Sequence, residues 1–166
     1  MEREKMADVS MEKLINLFAR SMMTMDGLWF LAAEEKYGLE KAIEMDCKVW
    51  ERFMPIHIKR VMKTYGITED GLYGLFKAFE VDPLWSIFKP VFPEASENKF
   101  VLRMTDCPPQ KARVRDGRGE FPCKDVGISC FKSLVKDFIP DGQLRCVVCP
   151  PDEHPEDVWC EWEFYR

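Results

Sequence analysis

"QLRCVVCPPDEHPEDVWCEWEFY", residues 143–165, holds two runs that alternate apolar and polar residues. In 158–165, Cys160, Trp162 and Phe164 share one face, and Glu161 and Glu163 point away with Trp159 and Tyr165. The period of two predicts strands over 143–149 and 158–165, joined by about nine residues centred near Glu153. Upstream, "KFVLRMT" (99–105) repeats the pattern, and 126–138 places Ile128, Phe131, Leu134, Val135 and Phe138 on one helical face. A small antiparallel sheet crossed by one helix follows.

The first half has a different period. Met11, Leu14, Ile15, Phe18 and Met22 stand at helical spacing in "MEKLINLFARSMM". Asp26-Gly27 is read as an interruption, with a second helix ending at Gly38. A third, "LEKAIEMDCKVWERFMPIHIKRVMKTYG", carries the seam Ile43, Cys47, Trp50, Met54, Ile58, Val61 and Tyr65. Pro55 inside it predicts a kink or a split. "GLYGLFKAFEVD" is a fourth helix, and the proline-rich 82–98 a connector. No internal repeat, low-complexity tract or coiled-coil heptad stands out. The class is α+β: a helical subdomain over 1–95 packed on a cysteine-rich α/β subdomain over 96–166, as one compact unit.

With 166 residues the chain can bury a core without disulfides or metal. A net charge of -5 argues against nucleic acid as the main partner. "MEREKMADVS" is not a signal peptide, and no run nears the ~20 apolar residues of a membrane span. Seven cysteines, an odd number, point to reduced thiols and a cytoplasmic location. "MMTM" and the aromatic helices suit a homodimer seam as well as a core.

Paired as a simple hairpin, the last two strands bring Cys146 opposite Cys160, with Cβ atoms ~4.5–5.5 Å apart. Cys149 then lies at the hairpin mouth, and Cys146-x-x-Cys149 is a spacing that grips one ion. Cys123, just before a helix, completes a set of four, with Cys107 and His154 in reserve. Zinc suits four thiolates, and so does an iron–sulfur cluster. The same cysteines also suit plain core packing with no cofactor at all, as Cys47 and Cys130 do on their helices.

The pieces "DGLWFLAAEEKYGLEKAIEMDCKVW", "CPPQKARVRDGRGEFPCKDVG", "CVVCPPD" and "CEWEF" together resemble a family of small uncharacterised cytosolic proteins of anaerobic bacteria and archaea. The likeness spans roughly residues 22–165. That family is similar to L-2-amino-thiazoline-4-carboxylic acid hydrolase and, more remotely, to 4-vinyl-reductase-type small-molecule-binding domains. The second likeness implies closing strands whose cysteines hold zinc.

A hydrolase of that kind needs a proton donor or base and a group to hold a carboxylate. Arg113, with Gln110 three residues away, is the carboxylate candidate, although both also suit a solvated loop face. Asp26, Glu34, Asp46 and His57 are available for acid–base work. Their plainer roles are an N-cap for Asp26, a surface face for Glu34 and a core or boundary histidine for His57. Trp29, Phe30 and the other tryptophans suit an aromatic-lined pocket or, equally, the core. No complete catalytic constellation is present. Two functions follow: a small-molecule- and metal-binding protein with its pocket between the helical half and the sheet, or a metal-dependent hydrolase of a small heterocyclic C–N or C–S bond.

Overall fold

The computed structural model describes residues 9–166; the first eight residues of the expected helical subdomain and most of "MEREKMADVS" lie outside it. Helix α1 (Met11–Tyr37) opens on Ser10, whose hydroxyl accepts from the Lys13 N–H at 3.4 Å. It runs unbroken through Asp26-Gly27, where an interruption was expected. One helical glycine costs only about 1 kcal/mol, and the apolar period continues beyond it. Gly38 alone turns the chain into α2 (Leu39–Tyr65); its φ of 84° is open to glycine and strained for other residues.

Helix α2 also continues through Pro55, with neither break nor split. Pro55 lies on the buried face beside Met54 and Ile58, both fully buried. That packing outweighs the one backbone hydrogen bond a proline removes. Helix α3 (Gly71–Val81) and the short α4 (Pro83–Ser86) complete the helical part.

The sheet has four strands in the order β1-β2-β4-β3, all antiparallel: β1 (Pro90–Val91), β2 (Lys99–Met104), β3 (Gln143–Val148) and β4 (Cys160–Tyr165). Helix α5 (Pro108–Arg115) occupies a segment expected to be irregular, and α6 (Lys124–Phe138) crosses the sheet and packs on α2. The α+β class is therefore the observed one. One continuous core joins the helical half to the sheet: Met54, Ile58, Leu75 and Phe79 meet Phe100, Leu102, Leu134, Trp162 and Phe164. Phe100 and Phe164 stack at 4.5 Å between ring centres. The other sheet face carries ion pairs, Arg103 with Glu161 and Arg145 and Lys99 with Glu163.

The hairpin register differs from the symmetric one. Cys146 pairs with Trp162, not Cys160, and Cys160 lies opposite Met104 on β2. A bulge between Cys146 and Val148 shifts the ladder, so Val148 faces Glu161.

Two glycine substitutions should act in opposite directions. A Cβ on Gly127 would lie 2.5 Å from the Trp162 ring, whereas one on Gly27 meets nothing within 4 Å. Urea unfolding should show Gly127→Ala losing about 1–3 kcal/mol and Gly27→Ala gaining about 0.5–1 kcal/mol.

Candidate metal centre and adjoining cavity

Five cysteines gather where the start of α6 meets the β3–β4 hairpin. Cys123 is the N-cap of α6, Cys107 that of α5, Cys146 sits on β3, Cys149 in the turn after it, and Cys160 opens β4. The backbone N–H of Lys124 donates to the Pro150 carbonyl at 3.0 Å, and its ammonium pairs with Asp152 at 2.7 Å. These two ties hold Cys123 against the turn that carries Cys149, and their sulfurs are 3.5 Å apart. The bulge moves Cys146 away from Cys160, yet Cys149 lies near enough for both to act on its thiol. Cys149 is buried, and the other four are partly so.

Electrostatics follow this arrangement. The neighbouring Cys123, Cys146 and Cys160 side chains, and then burial, push the Cys149 thiol far up. Cys149 in turn holds Cys123 and Cys146 below the usual thiol range, against the opposing effect of burial. The Lys124 charge adds to the lowering of Cys146. Burial pushes Cys107 up. Among the described residues no group of three or more His, Cys, Asp or Glu side chains is placed so that it could hold a metal ion as it stands. Two sulfurs that share a tetrahedral zinc at ~2.3 Å stand ~3.8 Å apart. The Cys123–Cys149 separation is a few tenths of an ångström from that.

Gln110 is buried beside this cluster. Its amide donates to the Phe121 carbonyl at 2.7 Å and to the Cys123 sulfur at 3.4 Å, and its carbonyl accepts from the Phe121 N–H at 2.7 Å. It clamps the strand of chain that delivers Cys123. Its amide group is thus committed to this segment and does not line the cavity next door.

That cavity, about 410 Å³, lies between α1 and the segment 108–121, with Ile87 and Asp46 of α2 closing it. Phe30 and Phe121 meet edge to face at 4.7 Å on its wall. Arg113 lines it, but no strand residue does, so it is not the pocket expected between the helical half and the sheet. The terminal nitrogens of Arg113 form a two-point pair with Glu34 at 2.7 Å each, and the guanidinium lies 5.8 Å from the Phe121 ring centre. The Arg113 side chain is 10% exposed and its Nε is buried without a partner. Pairing with Arg113 holds the Glu34 carboxyl below its usual range. Two residues considered for separate roles thus satisfy each other, and Arg20, Arg115 and Arg118 are the more open cations at the cavity.

Asp26 and Asp46 both line the cavity. Burial raises Asp26 from 3.8 to about 6. Burial, and then the neighbouring Asp26 charge, raises Asp46 to about 7. The neighbouring Trp50 side chain partly offsets the rise in both. In the sequence each is a charge on an apolar helical face, Asp26 between Met23 and Phe30, and Asp46 between Ile43 and Trp50.

The remaining candidates lie elsewhere. Trp29 is 73% exposed and points away from the cavity. His57 Nε2 lies 2.9 Å from both oxygens of buried Asp82, which also caps α4 through the Leu84 N–H. His154 contacts the Pro155 carbonyl and Glu120, not a sulfur, and these contacts raise its pKa.

The chain belongs to the family of unknown function DUF6125, whose model matches residues 4–166. No curated protein matches it.

The two aspartates set a pH signature. Each binds a proton in the folded chain at a pH where the unfolded chain has released it, so stability falls as pH rises from about 4 to about 7. Asp46→Asn should flatten that decline and raise stability at pH 8 relative to the parent, as chemical denaturation at several pH values will show.

Proposed function

We propose that this chain is a cytoplasmic metal- and small-molecule-binding protein. Cys123, Cys146, Cys149 and Cys160 hold one zinc ion, and the cavity beside Asp26, Asp46 and Arg113 receives the small molecule. The observation that carries the reading is the 3.5 Å approach of the Cys149 and Cys123 sulfurs, from two separate segments, beside Cys146 and Cys160. The Cys123–Cys149 pair has its backbone already tied at Lys124, and Cys146 and Cys160 close on the ion by side-chain rotation. Four thiolates leave no open position for water, so the ion is structural and the chemistry of recognition belongs to the cavity. Cys107, partly buried and close enough to feel the Cys123 and Cys160 charges, is the alternative fourth ligand. An iron–sulfur cluster would use the same sulfurs.

A second reading, hydrolysis of a small heterocyclic C–N or C–S bond as in L-2-amino-thiazoline-4-carboxylic acid hydrolase, is favoured by one feature. Asp46, raised to about 7, keeps a proton available near neutral pH on the cavity wall, where a leaving group needs one. Arg113 is committed to Glu34, so a substrate carboxylate would fall to Arg20, Arg115 or Arg118.

Elemental analysis of the anaerobically purified chain should find about one zinc per molecule and no visible absorbance. Cys149→Ser should release it and destabilise the fold by more than the ~1–3 kcal/mol that loss of a packing thiol costs. A metal-free parent protein would remove the reading.

A further inference from the structure

Helix α1 buries one residue, Ala19, along 27 positions. On a neighbouring face Met11, Ile15, Phe18, Met22, Met25 and Trp29 form a continuous stripe, each between 36% and 73% exposed. Their spacing, 4-3-4-3-4, is that of a coiled-coil seam. It is complete only because the helix runs through Asp26-Gly27. At ~200 Å² per side chain the six offer on the order of 700 Å², close to the ~800 Å² each partner gives a standard interface.

We propose that this face is a homodimer interface in which α1 packs antiparallel against α1 of a second copy, about a two-fold axis at residue 20. Reversed on itself, the stripe sets Met11 opposite Trp29, Ile15 opposite Met25 and Phe18 opposite Met22. Every layer then pairs a flexible methionine with a ring or a branched side chain, the combination that fills space best and gains sulfur–aromatic contact. The charges of α1 disfavour a lipid surface as the occupant. Lys13, Arg20 and Lys36 stand against Glu12, Asp26, Glu34 and Glu35, whereas membrane-surface helices carry a basic polar face.

The test uses the full chain in analytical ultracentrifugation. The parent should be a dimer at micromolar concentration. Phe18→Lys and Met22→Glu should each weaken the dimer at least about tenfold and leave the circular dichroism spectrum and thermal midpoint near those of the parent, because both positions are exposed. Mixed in equal amounts, the two variants should form a heterodimer, since position 18 of one faces position 22 of the other. A parent that stays monomeric overturns the proposal. So does a parent dimer that both variants keep. Monomeric variants that fail to pair when mixed overturn the antiparallel register. Binding of the monomeric parent to vesicles of neutral or anionic lipid would assign the stripe to a membrane surface instead.

Discussion

The contact between Gly127 and Trp162 governs where the rest of the C-terminal half can lie. The indole occupies the space that a side chain on α6 would need, so helix and strand approach as closely as backbone allows. Phe131 meets the same ring edge to face at 5.0 Å, one turn further along the helix. The cysteine cluster is built around this contact. Cys123 lies one turn before Gly127 and accepts its N–H at the carbonyl, Cys160 lies two residues before Trp162 on the same face, and Cys146 is the cross-strand partner of Trp162. A purely apolar packing decision therefore gathers the sulfurs, and the hydrogen bonds of Lys124 and Gln110 hold them there.

What the sequence made legible is what short periods encode. The alternation in 158–165 placed Cys160, Trp162 and Phe164 on the buried side of the sheet and Glu161 and Glu163 on the ion-paired side, as observed. The helical period likewise identified the core face of α2 and of α6. Breaker residues misled, because Gly27 and Pro55 each cost less than the packing around them supplies. Helix α5 escaped notice because its residues are mostly polar, although Pro108-Pro109 is a helix-start signal. The hairpin register could not be counted from loop length, since the bulge at Val147 absorbs a residue.

The candidate site was legible as a set of residue types and not as a set of partners. Arg113 and Glu34 are 79 positions apart, and only the tertiary fold reveals that each is the other's counter-ion. The same holds for His57 and Asp82, 25 positions apart. With those pairs closed, Asp26 and Asp46 remain as cavity carboxyls raised by burial. The raised carboxyls of the cavity thus come from α1 and α2, its cations from α1 and the α5 segment, and the thiols gather at the starts of α5 and α6 and in the hairpin. Gln110 and Phe121 link the two: one clamps the segment that bears Cys123, and the other lines the cavity.

The sharing of one ion by the four sulfurs is what we propose. X-ray absorption at the zinc edge, on the full chain purified without oxygen, reads the coordination shell directly. Four sulfurs at ~2.3 Å are predicted. A shell dominated by nitrogen or oxygen would contradict it.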